Sequence, residues 1–443
     1  MKKLIILILL WSGLTTIAGA QDLSLYFMDG IWQKTLVAPG HVVKDHRWSL
    51  GLTGIGGHFF YNGPALADWG SINNGILTLS PEKALNAIQP ENNFSLEYTY
   101  ETFHIAHRLN DRWSLSLHHS SHTLAEMSYP GDLARLMAYG NGSFLNQEMN
   151  VGIGINYTSY SELAFGAIYS IGAWDLGGRV GLLFGGRNLQ TKSHDLSLYT
   201  YDDYYQVRLK GDYQLTSSGI PSLTRLSKGA FGGLFKTFIP GSFSNLGLSL
   251  SLGASFHPTD VLTINFSMKD LGFIHWSKLA RTYDVKGEWN IEGVDVFNAG
   301  SFDTSSLKNI GFNDVSNWID SIKGLLNPDG PTLGSYNTSL PAKFTLSGSY
   351  RLTDKFTVGA LYRYVNGILL TDNQLAIDAT YNLFNIWQLG TMYSVFQGKQ
   401  SIGLHSNLDL GPIQIYLASD KLISIGGKGK KYLHIRGGIN VAL

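Results

Sequence analysis

The 443-residue chain has no cysteine, which excludes a disulfide framework, a lipid anchor on a mature N-terminal cysteine, and any CxxC site. It has no excess of charge, with 33 Lys and Arg against 33 Asp and Glu. With apolar residues spread almost evenly, composition allows either two or three soluble domains or one large β structure. Beyond the first twenty residues no run is apolar for long enough to cross a membrane as a helix, which takes about 20 residues. HExxH, a P-loop and GxSxG are also missing, so the usual short catalytic signatures are absent. The expectation is a non-enzyme without cofactor or nucleic-acid partner.

The start of the chain says where it goes. Lys2 and Lys3 precede the apolar run Leu4 to Trp11, and Ala18-Gly19-Ala20 stand where a signal peptidase would cut. Residues 1–20 therefore read as a signal peptide and Gln21 as the mature start, since the run is shorter than a spanning helix.

One short stretch is written three times. HRLNDRWSL (His107 to Leu115) returns as YRLTDKFTV from Tyr350 and more loosely as FHPTDVLTI from Phe256. Before the third copy Leu248, Leu250, Leu252, Ala254 and Phe256 alternate with Ser249, Ser251, Gly253, Ser255 and His257; after it Leu262, Ile264, Phe266 and Met268 alternate with Thr263, Asn265, Ser267 and Lys269. This period of two marks strands with one oily and one small polar face. Apolar positions keep the same parity across each turn, so each hairpin takes an odd number of loop residues, most simply three around Asn110-Asp111, Thr259-Asp260 or Thr353-Asp354. His107, Trp113, Tyr350, Phe356 and Phe256 then fall at one height, as in the aromatic girdle of a membrane barrel.

A soluble sandwich also alternates, but its outer face is polar and its core face bulky. Here the polar face is mostly Ser, Thr, Gly and Asn, which suits the interior of a closed barrel in lipid. The predicted fold is all-β: a transmembrane antiparallel β-barrel of roughly 14 strands, within 12 to 16, with short helices in its loop insertions.

The C-terminal half lays out a meander. Strands are predicted at 356–364, 375–381, from Trp387, 402–410 and 413–417, with turns at Phe384-Asn385 and Gly411-Pro412 and a basic loop from Gly426 to Lys431. The last strand sets Leu433, Ile435, Ile439, Val441 and Leu443 on one face, ending in leucine where barrel tails usually end in an aromatic residue. Between Thr123 and Asn245, strand-like stretches at 149–157, 163–171, 174–184 and 204–215 do not fit an up-and-down count without an extra crossing. Helices are expected from Ser80-Pro81-Glu82 through Ala84, Leu85, Ala87 and Ile88, and at Asp132 to Ala138. The largest insertion is placed at about 270–341. It carries a helical face of Val315, Trp318, Ile319, Ile322, Leu325 and Leu326 that packs on its own extracellular loops, or else caps the mouth, packs within it, or lies on the outer leaflet. The expected division is signal peptide 1–20, a periplasmic or plug segment 21–46, and the barrel 47–443.

KDLGFIHW (Lys269 to Trp276), closely followed by YDVKGEWNIEGVDV, resembles a recurrent block in an uncharacterised family of outer-membrane barrels from Bacteroidota. LSLYTYDDYYQVRLKGDY (Leu196 to Tyr213) and the early QDLSLYFM match the same pattern. That family is distantly similar to the long-chain fatty-acid transporter barrels. The resemblance implies the outer membrane of a Gram-negative bacterium, surrounding lipid, and a lumen-crossing or lateral route for small apolar molecules. Those transporters often begin a plug with Asn-Pro-Ala near the mature start, where this chain has Ala38-Pro39-Gly40.

Lys269, Asp270, Gly272, Phe273 and Trp276 are the candidate ligand pathway or kink. They interrupt the period of two at the top of a strand, where a bulge fits and Gly272 permits an unusual backbone shape. Phe273 and Trp276 are expected to line the path together. Among His104, His107, His118, His119 and His122, parity turns His104 and His118 inward with Ser114 and Ser116, while His107 and His119 face out. Two inward histidines lack the further ligands of a zinc site, so no metal is expected. Two functions stand: passive transport of hydrophobic or amphipathic small molecules, or a filled barrel that binds a cell-surface or secretion partner through the long insertion. A charge-selective porin is disfavoured, because such pores rely on rings of charge.

Overall fold

The repeated turns close as hairpins. Leu109 N–H bonds to the Trp113 carbonyl at 2.9 Å, leaving Asn110, Asp111 and Arg112 as a three-residue loop. Asn110 Oδ1 accepts from the N–H groups of Arg112 and Trp113 at 2.9 Å each. Leu352 and Phe356 enclose Thr353 to Lys355 in the same way. The third copy differs: Thr259 pairs with Leu262 across a two-residue turn, and the ladder skips between Phe256 and Thr259. The odd residue expected in that loop is absorbed by a bulge at His257-Pro258, because Pro258 has no N–H to give to a ladder.

A computed structural model describes residues 22–64, 68, 70–73, 76–79, 81–203, 206–220, 245–291, 330–369, 371–384, 386–396, 399–425 and 431–443. They form a closed antiparallel barrel with 14 wall strands. The chain makes β1 (Trp48–Tyr61), β2 (Glu91–Arg108), β3 (Trp113–Pro130), β4 (Gly154–Ile171), β5 (Trp174–Thr200), β6 (Val207–Ser218), β7 (Leu246–Thr259), β8 (Leu262–Trp276) and β9 (Arg281–Ile291). There follow β10 (Thr332–Leu333), β11 (Tyr336–Ser339), β12 (Ala342–Arg351), β13 (Phe356–Asn366), β14 (Asp372–Leu383), β15 (Trp387–Phe396), β16 (Lys399–Asp409), β17 (Ile413–Ile425) and β18 (Lys431–Ala442). The wall runs β1 to β5, then β7, β8 and β12 to β18, and β18 closes on β1 from Ser49↔Ala442 to Tyr61↔Lys431. The turns after β2, β4, β7, β12, β14 and β16 lie at one rim with the C-terminus, and the longer loops lie at the other.

The outer face carries the oily residues of the alternating pattern. Leu117, Phe165, Val180, Leu250, Phe266, Leu346, Ile377, Leu404 and Leu417 are all exposed. At the short-turn rim Trp48 stacks on His107 with ring centres 3.8 Å apart, and Trp174 stacks on Phe256 at 4.3 Å. Trp113, Tyr350, Tyr381 and Trp387 extend this girdle. The inner face is polar, with Ser49, His104, Ser251, Asn265, Ser347, Gln374, His405 and Asn440 buried.

On one side the wall has a second storey. β5 pairs with β7 from Trp174 to Phe184 and with β6 from Asn188 to Thr200. Thus β6 stands above β7 along the same neighbour, and β9, paired to β6, stands above β8. This resolves the region where the strand count failed. The stretch 149–157 joins a separate short strand, Glu148–Asn150, to the start of β4, 163–171 is the other end of β4, and 174–184 is only the lower part of the 27-residue β5. The insertion also begins later than expected, since residues 270–276 remain in β8 and β9 continues beyond them.

Short helices occur at α1 (Lys34–Val37), α2 (Pro81–Ala87) and α3 (Gly131–Tyr139), the last two where helices are expected. In α3, Leu133 and Leu136 pack with Met149, Leu196, Leu198, Val207, Leu209 and Val285 in a core outside the lumen. The expected signal peptide, the expected helical face from Val315 to Leu326, Asn385 and the loop residues 426–430 lie outside the described residues.

Candidate functional site in the barrel lumen

Residues 22–43 run inside the barrel, from β17 and β18 across to β5 and β7. A 3-10 turn (Ser24–Phe27) and α1 shape the path. At its beginning, Arg436 Nη1 lies 2.7 Å from Asp22 Oδ2 while Nη2 bonds to Glu101. The backbone N–H groups of Leu23 and Ser24 both donate to the Asp420 carboxylate, at 2.7 and 3.0 Å. Burial opposes a charged Asp22, but the Arg436 guanidinium, with His434 beside it, holds its carboxyl far below the usual carboxylate range.

The next residues bring oil into a polar lumen. Leu23, Leu25, Phe27, Met28 and Ile31 are buried with Leu361, Ala376, Met392, Tyr416 and Ala418 of the wall. Tyr26 Oη sits 2.8 Å from the Val37 carbonyl, 2.9 Å from Thr345 Oγ1 and 3.0 Å from Ser267 Oγ. Its single hydrogen suits the carbonyl, which can only accept, while its oxygen accepts from the hydroxyls. Trp32 stacks on His104 at 4.0 Å, and Gln33 exchanges two 2.8 Å hydrogen bonds with Asn440.

The far end is held differently. Arg179 of β5 donates to the carbonyls of Thr35 and Leu36 at 3.2 Å each. Pro39 and Gly40 then press on the wall where it has no side chains: a Cβ at Gly177 would overlap the Pro39 carbonyl oxygen, and one at Gly253 would meet Gly40 N at 2.8 Å. Burial, assisted by Lys34, pushes His41 down to about 3. Burial works against a charged Asp29, but Lys34 keeps its carboxyl below the usual range.

The segment separates two cavities, one at the loop rim and one at the short-turn rim. The first combines Phe60, Leu124 and Phe396 with Glu97, Lys343 and Arg363. The second combines Trp32, Leu115 and Ile168 with Arg47, Arg108 and Arg179.

Lys269 and Asp270 form the expected bulge. The β7–β8 register skips between Leu250 and Leu252, and Asp270 takes a φ of 61°. Lys343 Nζ reaches Asp270 at 3.2 Å and Glu97 at 3.6 Å, tying the bulge to the loop-rim cavity. The Gly272 backbone lies against Leu248, too close for a Cβ. Phe273 and Trp276, expected to line one path, stand on opposite faces: Phe273 is 46 % exposed on the outside and Trp276 is 0 % exposed. An odd spacing of three places them so. Trp276 packs with Leu183, Ile274 and Leu340, and its Nε1 donates to Thr338 Oγ1 at 2.8 Å.

His104 and His118 do turn inward. Sequence reasoning missed their neighbour Glu162, which pairs opposite Ser120 and sits 4.0 Å from His118 Nε2 and 3.7 Å from His122 Nε2. It also missed Arg179, Asp420 and Arg436. The available signal was a charged residue on the small-residue face of a strand.

A model of a family of unknown function, DUF5723, matches residues 39–420. The chain belongs to the DUF5723 family. No curated protein matches its sequence. Among solved structures, the toluene transporter TbuX of Ralstonia pickettii is similar with a TM-score of 0.41 and 11 % identity, over 96 % of this chain and 94 % of that one. A FadL homologue of Pseudomonas aeruginosa gives a TM-score of 0.40 and 12 % identity, over 93 % of each chain. The toluene transporter TodX of Pseudomonas putida gives 0.39 and 11 %, over 96 % of this chain and 94 % of that one.

Proposed function

We propose that this DUF5723 barrel spans the outer membrane of a Gram-negative bacterium and passively passes hydrophobic or amphipathic small molecules, with residues 22–46 as its gate. The observation that carries the reading is the division of the lumen into two cavities by a segment held only by non-covalent contacts. Both cavities mix apolar and polar linings, as ligand sites do. Five buried apolar side chains near the segment's start are each worth about 1.5–3 kcal/mol. Withdrawing the whole segment is therefore costly, and displacing its Thr35-to-Val43 end is the cheaper motion.

Gly177→Val pushes on Pro39 and is expected to raise passage of small apolar solutes into proteoliposomes several-fold. Unchanged passage by a variant whose barrel is folded would sink the gate. A lateral path is proposed at the Lys269-Asp270 bulge and above Gly272, with Trp276 as the side chain that must move and Phe273 on the lipid side. A disulfide between Asn245→Cys and Ser277→Cys, whose backbone N–H lies 3.0 Å from Asn245 Oδ1, is expected to stop release into lipid.

The packed middle of the lumen favours a second reading, a scaffold that binds a surface or secretion partner through its long insertion. It takes over if neither wild type nor Gly177→Val passes any solute.

A further inference from the structure

We propose that the cavity at the short-turn rim is a binding site for an amphipathic carboxylate, with Arg179 as its principal ligand, and that occupation loosens the end of the lumen segment. The two cavities differ in charge. The loop-rim cavity sets Glu97, Glu126 and Asp372 beside Lys343 and Arg363. The short-turn cavity is lined by Arg47, Arg108, Arg179, His41, His46 and His107, with no Asp or Glu among its lining residues. Just outside it Asp409 approaches His46, not one of the arginines, at 3.4 Å.

Arg179 is the focus. It is 6 % exposed, and among the described residues no carboxylate lies within ion-pair distance of it. Two of its donors go to the neutral carbonyls of Thr35 and Leu36, and Nε has no partner. A guanidinium stays charged and is costly to bury against neutral partners, so a carboxylate is the acceptor it favours. His41 Nε2, on the same cavity, is a second buried atom without a partner. Trp32, Val43, Leu115 and Ile168 supply an apolar side, so the ligand is an anion with a hydrophobic body rather than a bare ion.

Carbonyl and carboxylate compete for the same guanidinium. A charge-assisted bidentate pair is the stronger, so a ligand that engages Arg179 frees Thr35 and Leu36. This consequence rests on the gating reading; the binding itself does not.

The test is calorimetric titration of the full-length protein in detergent with benzoate, octanoate, benzyl alcohol and inorganic phosphate. Benzoate or octanoate is expected to bind, the pair separating a compact body from a lipid-like chain, while benzyl alcohol and phosphate bind weakly or not at all. Arg179→Gln should weaken carboxylate binding about ten- to a hundredfold, the range of a charge-assisted hydrogen bond. Arg179→Lys should recover part of it, and Arg135→Gln on α3 none of the loss. Gel mobility before and after heating shows whether each barrel is folded. Carboxylate binding that is unaltered in folded Arg179→Gln, or equal affinity for benzyl alcohol, overturns the site, as does failure of both carboxylates to bind wild type. Protease access to residues 35–46, unchanged at saturating carboxylate, overturns the coupling alone. Absence of solute passage would instead count against the transport reading and leaves these results standing.

Discussion

Leu176 and Leu196 lie on the same strand, yet Leu176 is 46 % exposed and Leu196 is 4 % exposed. The lower part of β5 keeps Leu176, Val180 and Leu182 outside and Asp175 and Arg179 buried; the upper part buries Leu196 and Leu198 beneath α3. The lower storey is inverted relative to a water-soluble sheet and the upper is not. On the proposed placement in the outer membrane, the difference lies in what covers the outer oily face: lipid accepts Leu176 uncovered, whereas higher up water drives Leu196 and Leu198 under α3. Register shifts at Ser159/Tyr160 and Thr191/Ser193 fall between the two regimes; each adds one residue to β5, so together they return Leu196 and Leu198 to the face that carries Leu176 and Val180.

Substitutions can break this comparison. The largest effect is expected from Arg436→Ala inside the lower storey, which leaves Asp22 and Glu101 buried without their cation. It should cost about 3–5 kcal/mol and appear as lost hydrogen-exchange protection at residues 22–33. Val180→Arg on the lipid face should cost about 2–4 kcal/mol in a refolding titration into bilayers. Leu196→Ala should cost about 2–3 kcal/mol through the cavity it opens, read as proteolytic release of α3 while the barrel resists heat. Leu196→Ala behaving like Leu176→Ala would erase the distinction.

Smaller effects sharpen it. Asn110→Ala removes two hydrogen bonds in a turn outside both storeys and should cost about 1–2 kcal/mol, seen in the same refolding titration. The smallest is a pH effect on the segment's end. His41, facing Lys34, Asp29, Asp175 and His257, is lowered to about 3 when docked. An undocked histidine takes up its proton near pH 6.5, so docking is fully supported above that value and weakens as pH falls towards 3. Protease access to residues 35–46 should rise on acidification, by an amount on the order of 1 kcal/mol in docking. Access that falls, or that rises equally in His41→Gln, would remove His41 as the cause.

Legibility followed the same division. From Phe356 to Ala442 the strands are short and single-storeyed, with one exposed oily face throughout, and parity with turn chemistry placed every crossing. Between Glu148 and Ile291, β4 and β5 run through both storeys, and two one-residue register shifts on β5 break its numerical alternation. Period-two matching then cut β4 in two and took the lower part of β5 for a whole strand. The Lys269-Asp270 bulge was visible as a break in alternation, and so was the opposite facing of Phe273 and Trp276, which follows from their odd spacing on one continuous stretch of strand.

By itself, then, the sequence determined the barrel, its approximate strand number, its girdle and the inward turn of His104 and His118. Those are local consequences of alternation, and alternation is written residue by residue. Only the tertiary structure decided that β6 stands on β7, that Arg179 grips the carbonyls of Thr35 and Leu36, and that Asp22 meets Arg436 across 414 positions of chain. Such contacts depend on barrel closure and on the course of the segment through it, and no short-range pattern encodes either.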